Sequence, residues 1–316
     1  APCYLCGSDM VVELYPKLDG ADVGAEAYRC TSMTHQKKPQ VVQCLTCGLA
    51  AAGEMPTADE LDQLYLDVVD QTYLKNKTAR AKTFAHAMAT ISPFLPAKGR
   101  MLEVGAYCGL FMQVAKKHGW QVEGVEPSRW ASEQAKAAGL TVHKGTLEAS
   151  MGVIEGDRDA IVMWDVLEHL ADPMAELKRL RDLLDDDGVM CLSTLDMDTW
   201  FPRLLGHRWP WIMDMHLYYF GHDVLEDMLQ RAGFELVADM PYRHYASLDY
   251  FFEKVAAMLP SPLSHVVGFC KALAPKWIFV PFHFGDVRLF VCRKAKRDEE
   301  RDNDEFAATS AAAGGA

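Results

Sequence analysis

Met101-Leu102-Glu103-Val104-Gly105-Ala106-Tyr107-Cys108-Gly109 is the stretch that decides the architecture. A short apolar run ends on a carboxylate, enters a glycine-bounded turn and gives way to a helix reaching Lys117. Strand, tight turn and helix in that order form the repeating unit of a doubly wound sheet. Glycines at such a turn let backbone approach a ligand at the helix N-terminus. The same alternation continues outward. Further strands are expected at 121–125, 141–143, 160–164, 189–193, 234–238 and 287–292, with helices at 128–138, 173–184 and 224–232. This predicts an α/β chain built on a seven-stranded, mainly parallel sheet. The last strand follows a long excursion instead of a crossover helix, so it is expected to run antiparallel at an edge.

Composition narrows the function classes. The 316 residues are 50% hydrophobic and 24% charged, which is globular. A formal net charge of −12 repels phosphate backbones and argues for no nucleic-acid partner. The longest apolar candidate, 263–282, is broken by His265, Lys271, Pro275 and Lys276 and falls short of a membrane span. No basic-then-apolar start resembles a secretory signal, so the nine cysteines are expected to be reduced thiols in a cytoplasmic protein.

Five of the nine cysteines lie within residues 1–56. Cys3-x-x-Cys6-Gly and Cys44-x-x-Cys47-Gly are two knuckles of the kind that present four thiolates to one structural zinc ion. Redox thiols are the alternative, and Cys30 or His35 could replace one ligand. Apolar spacing of three and four from Asp59 to Pro93 predicts a helical stretch. The expected organisation is a zinc-ribbon module at 1–56, a helical linker or lid at 57–97 and an α/β domain at 98–294. A helical cap is inserted at 243–285, and a disordered tail occupies 295–316.

Twenty-three residues after Glu103, at the end of the second strand, stands Gly124-Val125-Glu126-Pro127. A carboxylate there suits the two hydroxyls of a ribose. A dinucleotide would call for G-x-G-x-x-G, whereas this loop reads Gly105-x-x-x-Gly109, and Glu103 would repel a pyrophosphate. S-adenosylmethionine carries an ammonium, a ribose diol and no phosphate, and the electrostatics favour it.

Residues 78–240 resemble class I S-adenosylmethionine-dependent methyltransferases, which have a Rossmann-like sheet. The resemblance rests on Leu102-Glu103-Val104-Gly105-x-x-x-Gly109, on Gly124-Val125-Glu126-Pro127-Ser128 and on Asp165-Val166-Leu167-Glu168-His169-Leu170-x-Asp172-Pro173. The last is typical of the branch containing ubiquinone-pathway, sugar and natural-product enzymes. The N-terminal knuckles resemble the zinc module of deoxysugar C-methyltransferases. Tyr107 departs from the pattern, since many members have a glycine there. The resemblance implies Glu103, Gly105, Tyr107 and Gly109 beside the methionine moiety. It implies Glu126 and Pro127 at the ribose, Thr146 and Leu147 at the adenine, and Asp165 nearby.

For the chemistry, Asp165, Glu168 and His169 follow the fourth strand at i, i+3 and i+4, and share one side if a helical turn begins there. His169 is a candidate general base, and His216, in the aromatic stretch 200–220, is a second. In relatives a similar set binds a divalent cation, so Asp165, Glu168, His169 and His216 could hold Mg. The expected reaction is O-methylation of a hydroxyl on a sugar-containing or natural-product acceptor, a small molecule or glycan. The alternatives are C-methylation of a nucleotide-linked deoxysugar and a non-catalytic cofactor-binding scaffold. The helices after residue 248 read as a substrate cap or homodimer contact. A membrane contact through Trp277-Ile278-Phe279-Val280 is the less favoured reading of that segment.

Overall fold

The computed structural model describes residues 2–20, 28–31, 38–259, 261–275 and 277–296. His35 and nearly all of the expected tail lie outside the described residues.

The N-terminal part is a small antiparallel sheet, β1 (Val11–Tyr15), β2 (Val41–Cys44) and β3 (Ala50–Ala52). It is framed by two matching turns. The Gly7 N–H donates to Cys3 O and the Gly48 N–H to Cys44 O, each at 2.9 Å. Both glycines have positive φ, +71° and +83°, the conformation a side chain resists.

The expected helical stretch is three helices: α1 (Ala58–Leu66), α2 (Gln71–Lys75) and α3 (Lys77–Ile91). Capping chemistry imposes the breaks. Thr57 and Glu60 form a reciprocal capping box at the start of α1, and the Asp70 carboxylate accepts the Tyr73 N–H to start α2. Asp70 also takes the backbone N–H and hydroxyl of Thr31, so it ties the segment at 28–31 to the helices.

The main body runs β4 (Arg100–Val104), α4 (Leu110–Lys117), β5 (Gln121–Glu126), α5 (Arg129–Ala137), β6 (Thr141–Lys144), α6 (Leu147–Ser150), β7 (Arg158–Trp164), α7 (Pro173–Leu183) and β8 (Leu184–Leu195). It continues through α8 (Trp200–Leu205), β9 (Tyr218–Tyr219), α9 (His222–Arg231), β10 (Phe234–Pro241), β11 (His244–Ser247), α10 (Leu248–Met258), α11 (Leu263–Leu273), β12 (Phe279–Phe282) and β13 (Val287–Lys294). Seven of these strands form one sheet of order β10-β13-β8-β7-β4-β5-β6. The expected seven-stranded, mainly parallel, doubly wound sheet is therefore present.

One placement differs. β13 is antiparallel, as expected, but it lies between β8 and β10 instead of at the edge. Burial explains the difference. Leu289 to Cys292 are all buried, and a strand apolar on both faces must be flanked on both sides. β10 alternates exposed and covered residues and takes the edge.

Two shorter pairings shape the site. β9 adds to the N-terminal sheet as its fourth strand, with Ala50 opposite Tyr219 and Ala51 opposite Tyr218. β11 and β12 form a separate antiparallel ribbon that carries the α10–α11 hairpin.

Candidate active site

The strand order reverses between β4 and β7, and their carboxyl ends open onto a cavity of about 750 Å³. Its wall brings together Glu103, Gly105, Tyr107, Glu126, Pro127, Thr146, Leu147, Asp165, Glu168, His169 and His216, residues spread over more than a hundred positions of sequence. Gly109 stands back from the wall, where it starts α4 in the left-handed conformation at φ +71°.

The glycine turn works differently from the expectation that its amides face a ligand. The Gly105 and Ala106 N–H groups both donate to Val125 O at 2.9 Å, and the Tyr107 N–H donates to Glu126 at 2.8 Å. The turn offers space instead of donors. A Cβ on Gly105 would stand 2.5 Å from Val166 Cγ2, and φ there is +72°. Tyr107 holds φ +45° despite its side chain, and packs edge-on against Tyr73 at 4.5 Å between ring centroids.

Glu103 is buried, and its Oε2 has no hydrogen-bond partner. Burial first, and Glu126 second, hold its carboxyl well above the usual carboxylate range. An orphaned carboxyl oxygen in a cavity wall is matched by an ammonium group. Glu126 binds the Ser128 N–H at 2.7 Å through Oε1 and the Tyr107 N–H through Oε2. Burial pushes it up to about 7, and each oxygen keeps a lone pair for a hydroxyl donor. These two carboxyls fit the ammonium and the ribose diol of S-adenosylmethionine.

Asp165, Glu168 and His169 do not share one face. Asp165 takes a left-handed φ of +53° and turns to the Ser193 hydroxyl, which donates to it at 2.6 Å. A single 3₁₀ turn, Leu167–His169, follows. Glu168 accepts the Thr194 hydroxyl at 2.8 Å, and burial, helped by Asp165, pushes it up to about 8. The His169 Nδ1 meets Met215 O at 2.7 Å, and the His216 Nδ1 meets Trp211 O at 2.6 Å. A carbonyl only accepts, so both rings carry the proton on Nδ1 and present a basic Nε2. Burial lowers both pKa values, that of His216 further, because His169 stands beside it. Ligand atoms of Glu168, His169 and His216 lie within 4.8 Å of one another. Asp165 is not in that group, which corrects its expected place in a four-residue cation site.

The aromatic stretch is a buried wall. The indole N–H groups of Trp209 and Trp211 both donate to Asp286 Oδ2 at 2.9 Å. Sequence reasoning missed the opposite wall, where Trp164 stacks on Tyr242 at 5.8 Å and His244 meets Phe282. Trp164 Nε1, Tyr107 OH and His244 Nε2 are buried without partners. It also missed Arg80, whose guanidinium lies 4.1 Å above the Tyr73 ring. Cys30, considered only as a substitute ligand for the knuckles, lines the cavity and stands outside the four-cysteine group. Nothing in the spacing of these residues announces that the strands bring them together.

The four knuckle cysteines converge. Cys3 Sγ lies 3.5 Å from Cys47 Sγ, and Cys6 Sγ 3.6 Å from Cys44 Sγ, with no disulfide. Four thiolates about 2.3 Å from a tetrahedral zinc stand roughly 3.8 Å apart, so the donor set fits that ion.

A seven-stranded sheet of this order, with acidic groups at the ends of β4 and β5, defines an α/β protein that binds a nucleoside-bearing cofactor at its switch point. The profile of a methyltransferase domain matches residues 76–239, more than half of the chain, and the chain belongs to that family as a class I S-adenosylmethionine-dependent methyltransferase domain. It is similar to the ubiquinone biosynthesis O-methyltransferase of Cereibacter sphaeroides (strain ATCC 17029 / ATH 2.4.9), 29% identical over 160 residues, 46% of this chain and 65% of that one. The protein of the same name from Dinoroseobacter shibae is 28% identical over 163 residues, 45% of this chain and 62% of that one. The chain thus spans less than two thirds of the length of these relatives. A SAM-dependent methyltransferase structure from Archaeoglobus fulgidus aligns with 71% of this chain and all of its own, at 15% identity and a TM-score of 0.49.

Proposed function

We propose that the chain catalyses S-adenosylmethionine-dependent O-methylation of a hydroxyl on a ring-bearing small molecule. The observation that carries this is one continuous cavity with Glu103 and Glu126 at one part of its wall and two neutral histidines at another. S-adenosylmethionine supplies, when bound, a methyl group on an electrophilic sulfonium. Glu103 would hold the ammonium and Glu126 the ribose hydroxyls. Gly105, Tyr107 and Pro127 would shape the pocket, and Thr146 and Leu147 would border the adenine. His169, less deeply buried than His216 and kept neutral by its burial, would take the proton from the acceptor hydroxyl. Trp164, Trp211, Tyr242 and Phe284 would stack on the acceptor ring, and the unpartnered Trp164 and His244 nitrogens would bind its polar substituents.

The names of the relatives favour an O-methyl acceptor of the kind used in ubiquinone biosynthesis. A sugar hydroxyl on a glycan or natural product remains the second acceptor class. C-methylation would require a base beside an enolisable carbon. A scaffold would have no need of paired neutral histidines.

The convergence of Glu168, His169 and His216 favours a second reading of those residues, a divalent-cation site that orients the acceptor oxygen. Two imidazoles to one carboxylate suit Zn or Mn better than Mg, which prefers an oxygen shell. S-adenosylhomocysteine release with phenols and sugars, with and without a chelator, tests both readings. Turnover that survives chelation leaves His169 as the base, and silence with every acceptor sinks the proposal. We assign the four knuckle cysteines to a structural zinc within a 1–56 module, ahead of a helical 57–97 segment, the 98–294 domain and its 243–285 cap.

A further inference from the structure

We propose that the Tyr65 hydroxyl, carried by α1, is the hydrogen-bond donor that holds the acceptor oxygen beside His169. The proposal rests on the methyl-transfer reading and adds to it a residue that touches the nucleophile. Tyr65 lines the cavity, and its hydroxyl is buried without a hydrogen-bond partner among the described residues. An unpaired buried hydroxyl costs free energy, which a bound ligand recovers by supplying the missing bond. The phenol meets the His169 ring edge-on, with 6.2 Å between ring centroids, and Tyr28 packs edge-on against it at 5.4 Å.

A run of hydrogen bonds fixes this helix to the carboxyl at the end of β5. The Ser128 N–H donates to Glu126 Oε1 at 2.7 Å and the Ser128 hydroxyl to Val68 O at 3.1 Å. The Val68 N–H in turn donates to Tyr65 O at 3.2 Å. Tyr65 therefore keeps its place relative to Glu126 without using its hydroxyl. Burial first, then Cys30, Tyr28, Glu168 and Glu126, hold the phenol well above its usual range. It stays protonated and acts as a donor, never as a base. The two carboxyls that act on it belong to the cofactor and histidine parts of the wall, so the hydroxyl stands where those parts meet.

A hydroxyl acceptor has one proton and two lone pairs. His169 Nε2 takes the proton, one lone pair attacks the methyl carbon, and the other accepts the Tyr65 O–H. The carbon–oxygen bond forms as the carbon–sulfur bond breaks, the sulfur keeps that bond's electron pair, and the proton stays on His169. Neither histidine can replace Tyr65, because each has given its N–H to a carbonyl. With the donor in place all three directions around the oxygen are set. The same bond favours the deprotonated acceptor and lowers its pKa in the site.

Tyr65→Phe in the full chain is the test. Removing an unpaired hydroxyl is expected to leave Tm unchanged or slightly raised, and S-adenosylhomocysteine binding unchanged. The acceptor KM is expected to rise about tenfold, the worth of one hydrogen bond. The acid limb of the kcat profile moves to higher pH by about one unit, which a merely structural role would not produce. A Tm lower by several degrees, or failure to fold, would show that the hydroxyl has a partner within the protein and overturn the proposal. Weakened S-adenosylhomocysteine binding also overturns it, because Tyr65 would then serve the cofactor. Turnover by the unaltered protein that Tyr65→Phe matches in KM and pH profile sinks this proposal alone. An unaltered protein silent with every hydroxyl acceptor sinks the methyl-transfer reading, and this one with it.

Discussion

His169 and His216 meet with 4.7 Å between ring centroids, and the same device fixes both rings, an Nδ1–H donated to a backbone carbonyl. Neither ring can rotate without breaking that bond, so the two Nε2 atoms are held ready for a proton or a cation. Replacing either by alanine is expected to lower kcat by about 10²- to 10⁴-fold, with the S-adenosylhomocysteine Kd nearly unchanged. Steady-state kinetics and calorimetry on the two variants check this. Equal loss of turnover and of cofactor binding would show a structural role instead.

The carboxyls predict how the ligand-free protein responds to pH. The histidine pKa values are lowered by folding, so their contribution is present above about 6.5 and lost as pH falls through the lowered values. Glu126 and Glu168 are raised to about 7 and about 8, so theirs is complete below about 4.5 and lost as pH rises through those values. Between about 6.5 and 8 the loss from these two carboxyls is no longer offset by the histidines, and it lowers Tm by a few degrees. Glu126→Gln is expected to flatten that fall in a melting series across the range.

Glu126→Ala is expected to weaken S-adenosylhomocysteine binding by about ten- to a hundredfold, the loss of hydrogen bonds to a charged acceptor. It also leaves the Tyr107 and Ser128 N–H groups without their partner, so a lower Tm should accompany it. Isothermal calorimetry with an unchanged Kd would remove Glu126 from the ribose.

Gly105→Ala should cost about 1–3 kcal/mol in stability, because it adds a side chain at positive φ and meets Val166 at once. Chemical denaturation measures it, and a neutral effect would mean that the turn has another conformation.

Elemental analysis is expected to find one zinc per chain, and Cys44→Ser to lose it together with several degrees of Tm. Metal-free protein with full stability would refute the zinc assignment.

The sheet was largely legible because each strand is a short apolar run closed by a turn, and Glu103, Glu126 and the paired cysteines stand at fixed distances from such runs. What escaped belongs to tertiary structure or to local chemistry. Trp164, Tyr242 and His244 meet only because the turn from β10 into β11 returns to the end of β7. Asp165 leaves the expected trio through one left-handed residue, which no spacing rule reveals. The break before α2 was written in Asp70, a capping signal that apolar periodicity passes over. The edge position of β13 failed because burial on both faces outweighs the convenience of a hairpin.

The knuckles and the histidines are connected through backbone. The Ala52 N–H donates to Leu217 O and the Leu217 N–H to Glu168 O, each at 2.8 Å, one residue from His216. Beside them the Tyr4 hydroxyl bonds Asp172, four residues from Glu168. A structural zinc held by the four cysteines would steady that backbone path, and so the wall against which an acceptor meets His169 and His216, from the far side of β3.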